Sequence, residues 1–249
     1  RCARSLAIPA VVGVGEELTE IEAGADVLVD GESGSVVVDP DEDERAAAGG
    51  VDAPVVEKTV STADGKQIEV AANIGGRAEL DPAVARGADG IGLFRSEFLF
   101  LDRERPPDEA EQYDAITTAL EAFPDNRVVV RTLDIGGDKD VSYLDLPEET
   151  NPFLGQRGIR LSLGAHSDLF ETQLRALLRA AASEHGDDLA VMFPMATQIE
   201  EVEAAIERVE SIAAELDGEG VDYGVPELGV MIATAAAAFL ADSLGARPD

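Results

Sequence analysis

Between residues 68 and 232 short apolar runs alternate with longer stretches of helical periodicity. Ile68–Ala72, Gly90–Phe94, Arg127–Arg131, Leu189–Phe193 and Glu227–Ile232 are apolar enough to predict strands. Asp81–Arg86, Pro107–Ala122, Leu169–Ala182 and Thr197–Leu216 predict helices, and the last sets Ile199, Val202, Ala205, Ile206, Val209 and Ala213 on one face. Nearly continuous apolar strands separated by helices imply parallel strands covered on both sides. Repetition of this unit without a dinucleotide fingerprint favours an α/β fold, a partial (β/α)8 TIM-type barrel of about five strands, over a doubly wound sheet. Barrel sites gather at the carboxyl ends of strands, which puts Arg95, Arg131 and Pro194-Met195 around one mouth.

Residues 1–40 read differently. Strand candidates at Ala10–Val12, Asp26–Val29 and Ser35–Val38, separated by turns such as Asp30-Gly-Glu-Ser-Gly34, predict a small β-rich piece. Residues 41–60 are expected to form a linker with a charged, solvated helix, and residues 61–249 the partial barrel. The chain starts at Arg1 as though a helix were under way. A helical run at Ala235–Leu244 stops at Arg247-Pro-Asp249 where another strand is due, so both ends read as truncations.

The 51 acidic residues against 19 basic ones, for a net charge of -32, oppose nucleic acid and anionic membrane as partners. So acidic and lysine-poor a chain fits a cytoplasm of high salt. Cys2 is the single cysteine and excludes an internal disulfide, and no run of apolar residues is long enough for a membrane span, which predicts a cytoplasmic protein. His166 and His185 lack metal-ligand spacing and are expected to face solvent.

In a chain so poor in basic residues, an Arg or Lys beside a strand end or a glycine-rich turn points to an anionic ligand. Arg95 and Arg131 each follow an apolar strand, and their planar forks suit phosphate or carboxylate. The competing role is a salt bridge to Glu97 or Asp134. Gly136-Gly-Asp-Lys139 is a flexible turn able to carry Lys139 over an anion, and Arg157 follows the turn Asn151-Pro-Phe-Leu-Gly155. Arg160 is expected at the surface or pairing helices, and Met195 in the core.

Taken together, Ala3-Arg-Ser-Leu-Ala-Ile-Pro-Ala-Val-Val-Gly13, Gly92-Leu-Phe-Arg-Ser-Glu-Phe-Leu-Phe100, Arg131-Thr-Leu-Asp-Ile-Gly-Gly-Asp-Lys139, Asn151-Pro-Phe-Leu-Gly-Gln-Arg157, Met192-Phe-Pro-Met195 and Gly229-Val-Met-Ile232 resemble Enzyme I of the phosphoenolpyruvate-dependent sugar phosphotransferase system. The resemblance covers essentially the whole chain. With the composition, it implies a piece, truncated at both ends, of a protein from a halophilic archaeon. Pyruvate phosphate dikinases and phosphoenolpyruvate synthases share the architecture and are the alternative, but the Phe98-Leu-Phe100 and Asn151-Pro-Phe-Leu-Gly155 wording is closer to Enzyme I.

The resemblance implies that residues 1–40 end a swivelling phosphohistidine domain. The barrel would bind phosphoenolpyruvate with magnesium, through Arg95, Arg131, Lys139 and Arg157. A phosphoryl group would pass to an enzyme histidine, expected three residues before Arg1, and then to the carrier protein HPr. The catalytic cysteine and further metal ligands are also expected outside the chain, which would leave it inactive alone, and the complete enzyme is expected to be a homodimer. One departure bears on the metal: Ala233 occupies the position of an expected magnesium-ligating Glu, and Ala235 that of a usual Pro. A vestigial anion-binding fragment is therefore a second implied reading.

Overall fold

The computed structural model describes residues 9–31, 33–47, 60–136, 141, 143–144, 146, 149–151 and 153–245. The chain divides into two compact units, residues 1–55 and 56–249.

In the first unit a short 3-10 helix, Glu16–Glu20, precedes an antiparallel hairpin of β1 (Val27–Asp30) and β2 (Ser35–Val38). Asp30 closes its turn by accepting from the backbone N–H of Ser33 at 3.2 Å and from the Ser33 hydroxyl at 2.6 Å. Helix α1 (Glu42–Ala47) opens with a reciprocal box: Asp41 Oδ1 accepts from Glu44 N at 2.8 Å, and Glu44 Oε2 from Asp41 N at 2.9 Å. The strand expected at Ala10–Val12 does not form. Val12 is 93% exposed, and Gly13 and Gly15 break the extended run with φ of 76° and 84°.

The second unit begins with a hairpin of β3 (Val60–Ser61) and β4 (Gln67–Ile68). A parallel sheet follows, made of β5 (Ala72–Ile74), β6 (Ile91–Arg95), β7 (Val128–Arg131), β8 (Leu189–Phe193) and β9 (Glu227–Val230). The expected strand Ile68–Ala72 is thus split between hairpin and sheet. Ile68 and Val70 stay exposed, and Val70 N donates to Asp89 Oδ2 at 2.7 Å.

Helices α2 (Leu80–Ala85), α3 (Glu109–Ala122), α4 (Ile159–Leu163), α5 (Ser167–Ala180), α6 (Ile199–Glu219), α7 (Ala235–Phe239) and α8 (Ala241–Gly245) occupy the crossovers and the segment after β9. Spatial strand order follows chain order without reversal. A doubly wound sheet requires a reversal, so the winding is that of a partial (β/α) barrel.

Burial explains the alternation. Ile116, Ala119 and Leu120 of α3, Phe170, Leu174 and Leu177 of α5, and Val202, Ala205 and Val209 of α6 share one core with Ile91, Phe94, Val128, Val130, Val191 and Phe193 of the strands. Phe170 meets Phe193 edge to face at 6.3 Å between ring centres. A smaller cluster of Phe100, Leu133, Ile135, Val141, Leu161 and Leu169 packs the segments that follow β6 and β7, and so supports the strand ends. Among the described residues no helix is long and apolar enough to cross a membrane.

Candidate functional site

Parallel pairing sets the sites of the basic residues. Arg95 ends β6, Arg131 ends β7, and the two are register partners; Arg131 is in turn opposite Met192 of β8, and Met192 opposite Gly229 of β9. This row crosses the sheet at its carboxyl edge.

Two carboxylates bind the cluster together. Arg131 Nη2 donates to Glu97 Oε1 at 2.5 Å and lies 3.1 Å from Asp134 Oδ2. The other Asp134 oxygen accepts from Arg157 Nε at 3.2 Å. Arg131, Arg157, Glu97 and Asp134 are all buried, which strengthens each contact relative to a surface ion pair. Arg95 stands beside them, 3.7 Å from Glu79 Oε2, with its guanidinium 4.6 Å from the centre of the Phe98 ring. Arg157 is likewise 4.6 Å from the Phe153 ring. The salt bridges to Glu97 and Asp134 that competed with a ligand role are therefore made by Arg131 and, through Asp134, by Arg157.

These pairs leave part of Arg131 unused. Its Nη1 points to a weak acceptor, the Met231 thioether at 3.5 Å. Its Nε is buried without a hydrogen-bond partner among the described residues. A buried guanidinium with strong acceptors on Nη2 and none on Nε is a preoriented donor for an anion.

Backbone geometry holds Arg157 against β7. Gly136 has φ 124°, and a Cβ there would lie 2.4 Å from Gln156 O and 3.1 Å from Arg157 Cα. Gly158 (φ 56°) faces Met195, whose Cβ would be 2.9 Å from an added methyl. Met195 itself is buried, as expected, but adopts φ 62°, which is strained for a side-chain-bearing residue.

Arg160 braces this region. It donates to Phe153 O at 2.8 Å, Gly155 O at 2.8 Å and Met195 O at 2.6 Å. It also pairs α4 with α6, with Nη1 4.0 Å from Glu201 Oε1, but is not a surface residue, because three carbonyls take up its fork. Beyond Gly136, the Tyr143 hydroxyl donates to Phe100 O at 2.7 Å, and burial pushes its pKa up despite the nearby charge of Arg103.

The structure joins Arg131 and Arg157 through Asp134 and sets Arg95 opposite Arg131 in the sheet register, while Lys139 lies outside the described residues. His166 and His185 are half-buried at helix starts rather than solvent-facing, because each precedes a turn that packs on the core. Ala233 lies just past β9, where its backbone N–H donates to Met231 O at 2.8 Å. Its methyl offers no oxygen to a metal. Among the described residues, no group of three or more His, Cys, Asp or Glu is placed to hold an ion. The nearby carboxylates Glu97 and Asp134 are engaged by arginines, so these residues do not fit a magnesium site.

The sequence did not single out Glu79, Gln112 or Gln173, and Met231 stood out only within the run Gly229-Val-Met-Ile232. Gln173 carried a usable signal: it is a polar residue on the apolar stripe of α5, between Phe170 and Leu174, and it is buried with them. Glu79 carried none, and the contact of Met231 with Arg131 depends on a chain crossing.

Arginines stand at the carboxyl edge of a partial (β/α) barrel, and comparison with known proteins shows which family has this fold. Residues 52–249 match the family model of the PEP-utilising enzyme, PEP-binding domain, and residues 2–34 that of the PEP-utilising enzyme, mobile domain. The chain belongs to the PEP-utilising enzymes. A phosphoenolpyruvate-protein phosphotransferase of Haloferax volcanii is 64% identical over 248 residues, 99% of this chain and 44% of that protein. The phosphoenolpyruvate-protein phosphotransferase of Staphylococcus carnosus is 44% identical over 257 residues, with the same coverage. A multiphosphoryl transfer protein of Rhodobacter capsulatus is 44% identical over 260 residues, 99% of this chain and 30% of that protein. The chain spans less than half the length of these relatives.

Proposed function

We propose that the cluster of Arg95, Arg131 and Arg157 is the phosphoenolpyruvate site of a phosphoenolpyruvate-protein phosphotransferase, and that the complete gene product passes the phosphoryl group to its own histidine and then to HPr. The observation that carries this reading is the buried Arg131, register partner of Arg95 and joined to Arg157 through Asp134, with Nε left to donate. Phosphoenolpyruvate presents a carboxylate and a dianionic phosphoryl group close together, and two or three forks can hold both. As imidazole approaches phosphorus, the bridging P–O bond breaks and its electron pair moves to the enolate oxygen. Fixed guanidinium groups offset that charge without the reorganisation that water would need. Removal of one such donor is expected to raise the barrier by about 3 kcal/mol. Lys139 is proposed as a further phosphate ligand on its sequence match. Magnesium use is proposed for the complete protein from its relatives, and no step here runs through it.

The test is incubation of the complete gene product with labelled phosphoenolpyruvate, with and without HPr. Acid-labile label on the enzyme and its transfer to HPr support the proposal, whereas labelling only from ATP would assign the protein to the dikinases. A second reading, an anion-binding module without turnover, is favoured by Ala233; binding of phosphoenolpyruvate with no labelling would select it.

A further inference from the structure

We propose that Gln173 is the positioning residue that fixes the arginines relative to one another; this rests on the anion-site reading above. Gln173 lies on α5 and is 2% exposed. Its Oε1 accepts from Leu133 N at 2.8 Å, and its Nε2 donates to Ser96 Oγ at 3.2 Å and to Gln112 Oε1 at 3.3 Å. Gln112 in turn donates to Pro107 O at 3.2 Å, which fixes the orientation of both amides.

The partners give the arrangement its meaning. Ser96 directly follows Arg95, and Leu133 lies between Arg131 and Asp134, the carboxylate shared by Arg131 and Arg157. One side-chain amide therefore ties the ends of β6 and β7 beyond Arg95 and Arg131, their last register pair among the described residues. Its single acceptor and two N–H groups are all used, which no apolar side chain of that size can reproduce. Displacement of a binding group by about 1 Å costs on the order of 100-fold in rate, so a tie at this point governs site geometry more than fold stability.

The role is tested in the complete gene product by calorimetric binding of phosphoglycolate, a small phosphate-carboxylate anion, to Gln173→Met, Gln173→Glu and Arg131→Ala variants, with thermal unfolding alongside. Gln173→Met is expected to weaken phosphoglycolate binding about 10- to 100-fold, the range seen when a supporting partner of a binding group is lost, while unfolding stays cooperative. Gln173→Glu should bind weakly at about pH 8 and recover relative to the unsubstituted protein at about pH 5.5, because burial of the site raises the carboxyl's pKa and the protonated form regains a donor beside its acceptor. A role in folding alone would move the unfolding midpoint and leave both the affinity and this pH profile untouched.

Binding by both Gln173 variants within about twofold of the unsubstituted protein, with Arg131→Ala binding lost, overturns the positioning role and leaves the site reading standing. Should Gln173→Met fail to fold, the glutamate variant decides alone: recovery on acidification supports the role, and a ratio near one at both pH values overturns it. Undiminished binding by Arg131→Ala overturns the site reading and the positioning role with it.

Discussion

Arg131 Nη2 lies 2.5 Å from Glu97 Oε1, and the two side chains are only 8% and 3% exposed. Glu97 comes two residues after Arg95, the register partner of Arg131, so the pair crosses between neighbouring strand ends. Such a pair gains little net stability over an apolar substitute, because both charges leave water. Its consequence is orientation: with Nη2 held by Glu97 and Asp134, the guanidinium of Arg131 is fixed with Nη1 at the Met231 thioether.

Breaking the pair one side at a time is expected to be costly. Arg131→Met and Glu97→Gln should each destabilise by about 3–5 kcal/mol, because each removes one charge of a buried ion pair. The double variant should lose less than the sum of the two. Urea unfolding of all four proteins measures this, and additive losses would show that the pair is not coupled.

Gly136→Ala should displace Arg157 through its backbone, since the added methyl would lie 3.1 Å from Arg157 Cα. The added methyl meets Gln156 O at 2.4 Å on a backbone with φ 124°, so strand and turn must separate. A loss of about 2 kcal/mol or more is expected, with weaker phosphoglycolate binding. A variant as stable as its parent would mean that the segment at 156–157 moves freely.

Much of this arrangement was legible in the alternation of apolar runs and amphipathic helices. Leu189–Phe193 matches its strand in full, and β6, β7 and β9 differ from their expected ranges by one residue at the start or by one or two at the end. Arg95 and Arg131 were legible because a charge straight after a buried strand has few places to go. Ala10–Val12 and Ile68–Ala72 misled because β-prone composition does not create a pairing partner, and glycine or a hairpin took over. The Asp134 pair with Arg131 was legible at i,i+3, but its contact with Arg157, that of Arg160 with Met195 and that of Gln173 with Leu133 span 23, 35 and 40 residues, which no local pattern encodes.

Arg160→Lys should act on the loop at 153–157 and the Met195 turn at once. A single ammonium lacks the planar fork that reaches the Phe153, Gly155 and Met195 carbonyls together. The expected loss is about 1–3 kcal/mol, the desolvation cost of a carbonyl left without its donor. Faster hydrogen exchange at residues 153–157, with α6 unchanged, would locate the effect; a uniform increase would count against it.

Glu109 offers a pH test remote from the site. It accepts from Arg175 Nε at 2.8 Å and Arg179 Nη1 at 2.5 Å. Burial raises its pKa, but the hydrogen bonds and charges of the two arginines outweigh that and hold it below 4.5. Its contribution to stability is therefore complete above 4.5 and lost as pH falls through the lower folded value. Glu109→Gln should cost about 1 kcal/mol or less at neutral pH, and the gap to the unsubstituted protein should close below the folded value. A gap that persists in acid would point to packing.

Salt should stabilise this protein. At a net charge of -32, repulsion among excess carboxylates opposes the compact state. Surface pairs such as Arg127 with Glu227 at 2.9 Å and Arg208 with Glu171 at 2.5 Å act the other way and also weaken in salt. Each exposed pair contributes only about 0–1 kcal/mol, whereas the excess charge acts over the whole surface, so repulsion is the larger effect. Screening shortens from about 10 Å at 0.1 M to about 3 Å at 1 M, where most repulsion is gone. The thermal midpoint should therefore rise between those potassium chloride concentrations and then level off. A midpoint that falls over the same range would show that the ion pairs outweigh the repulsion.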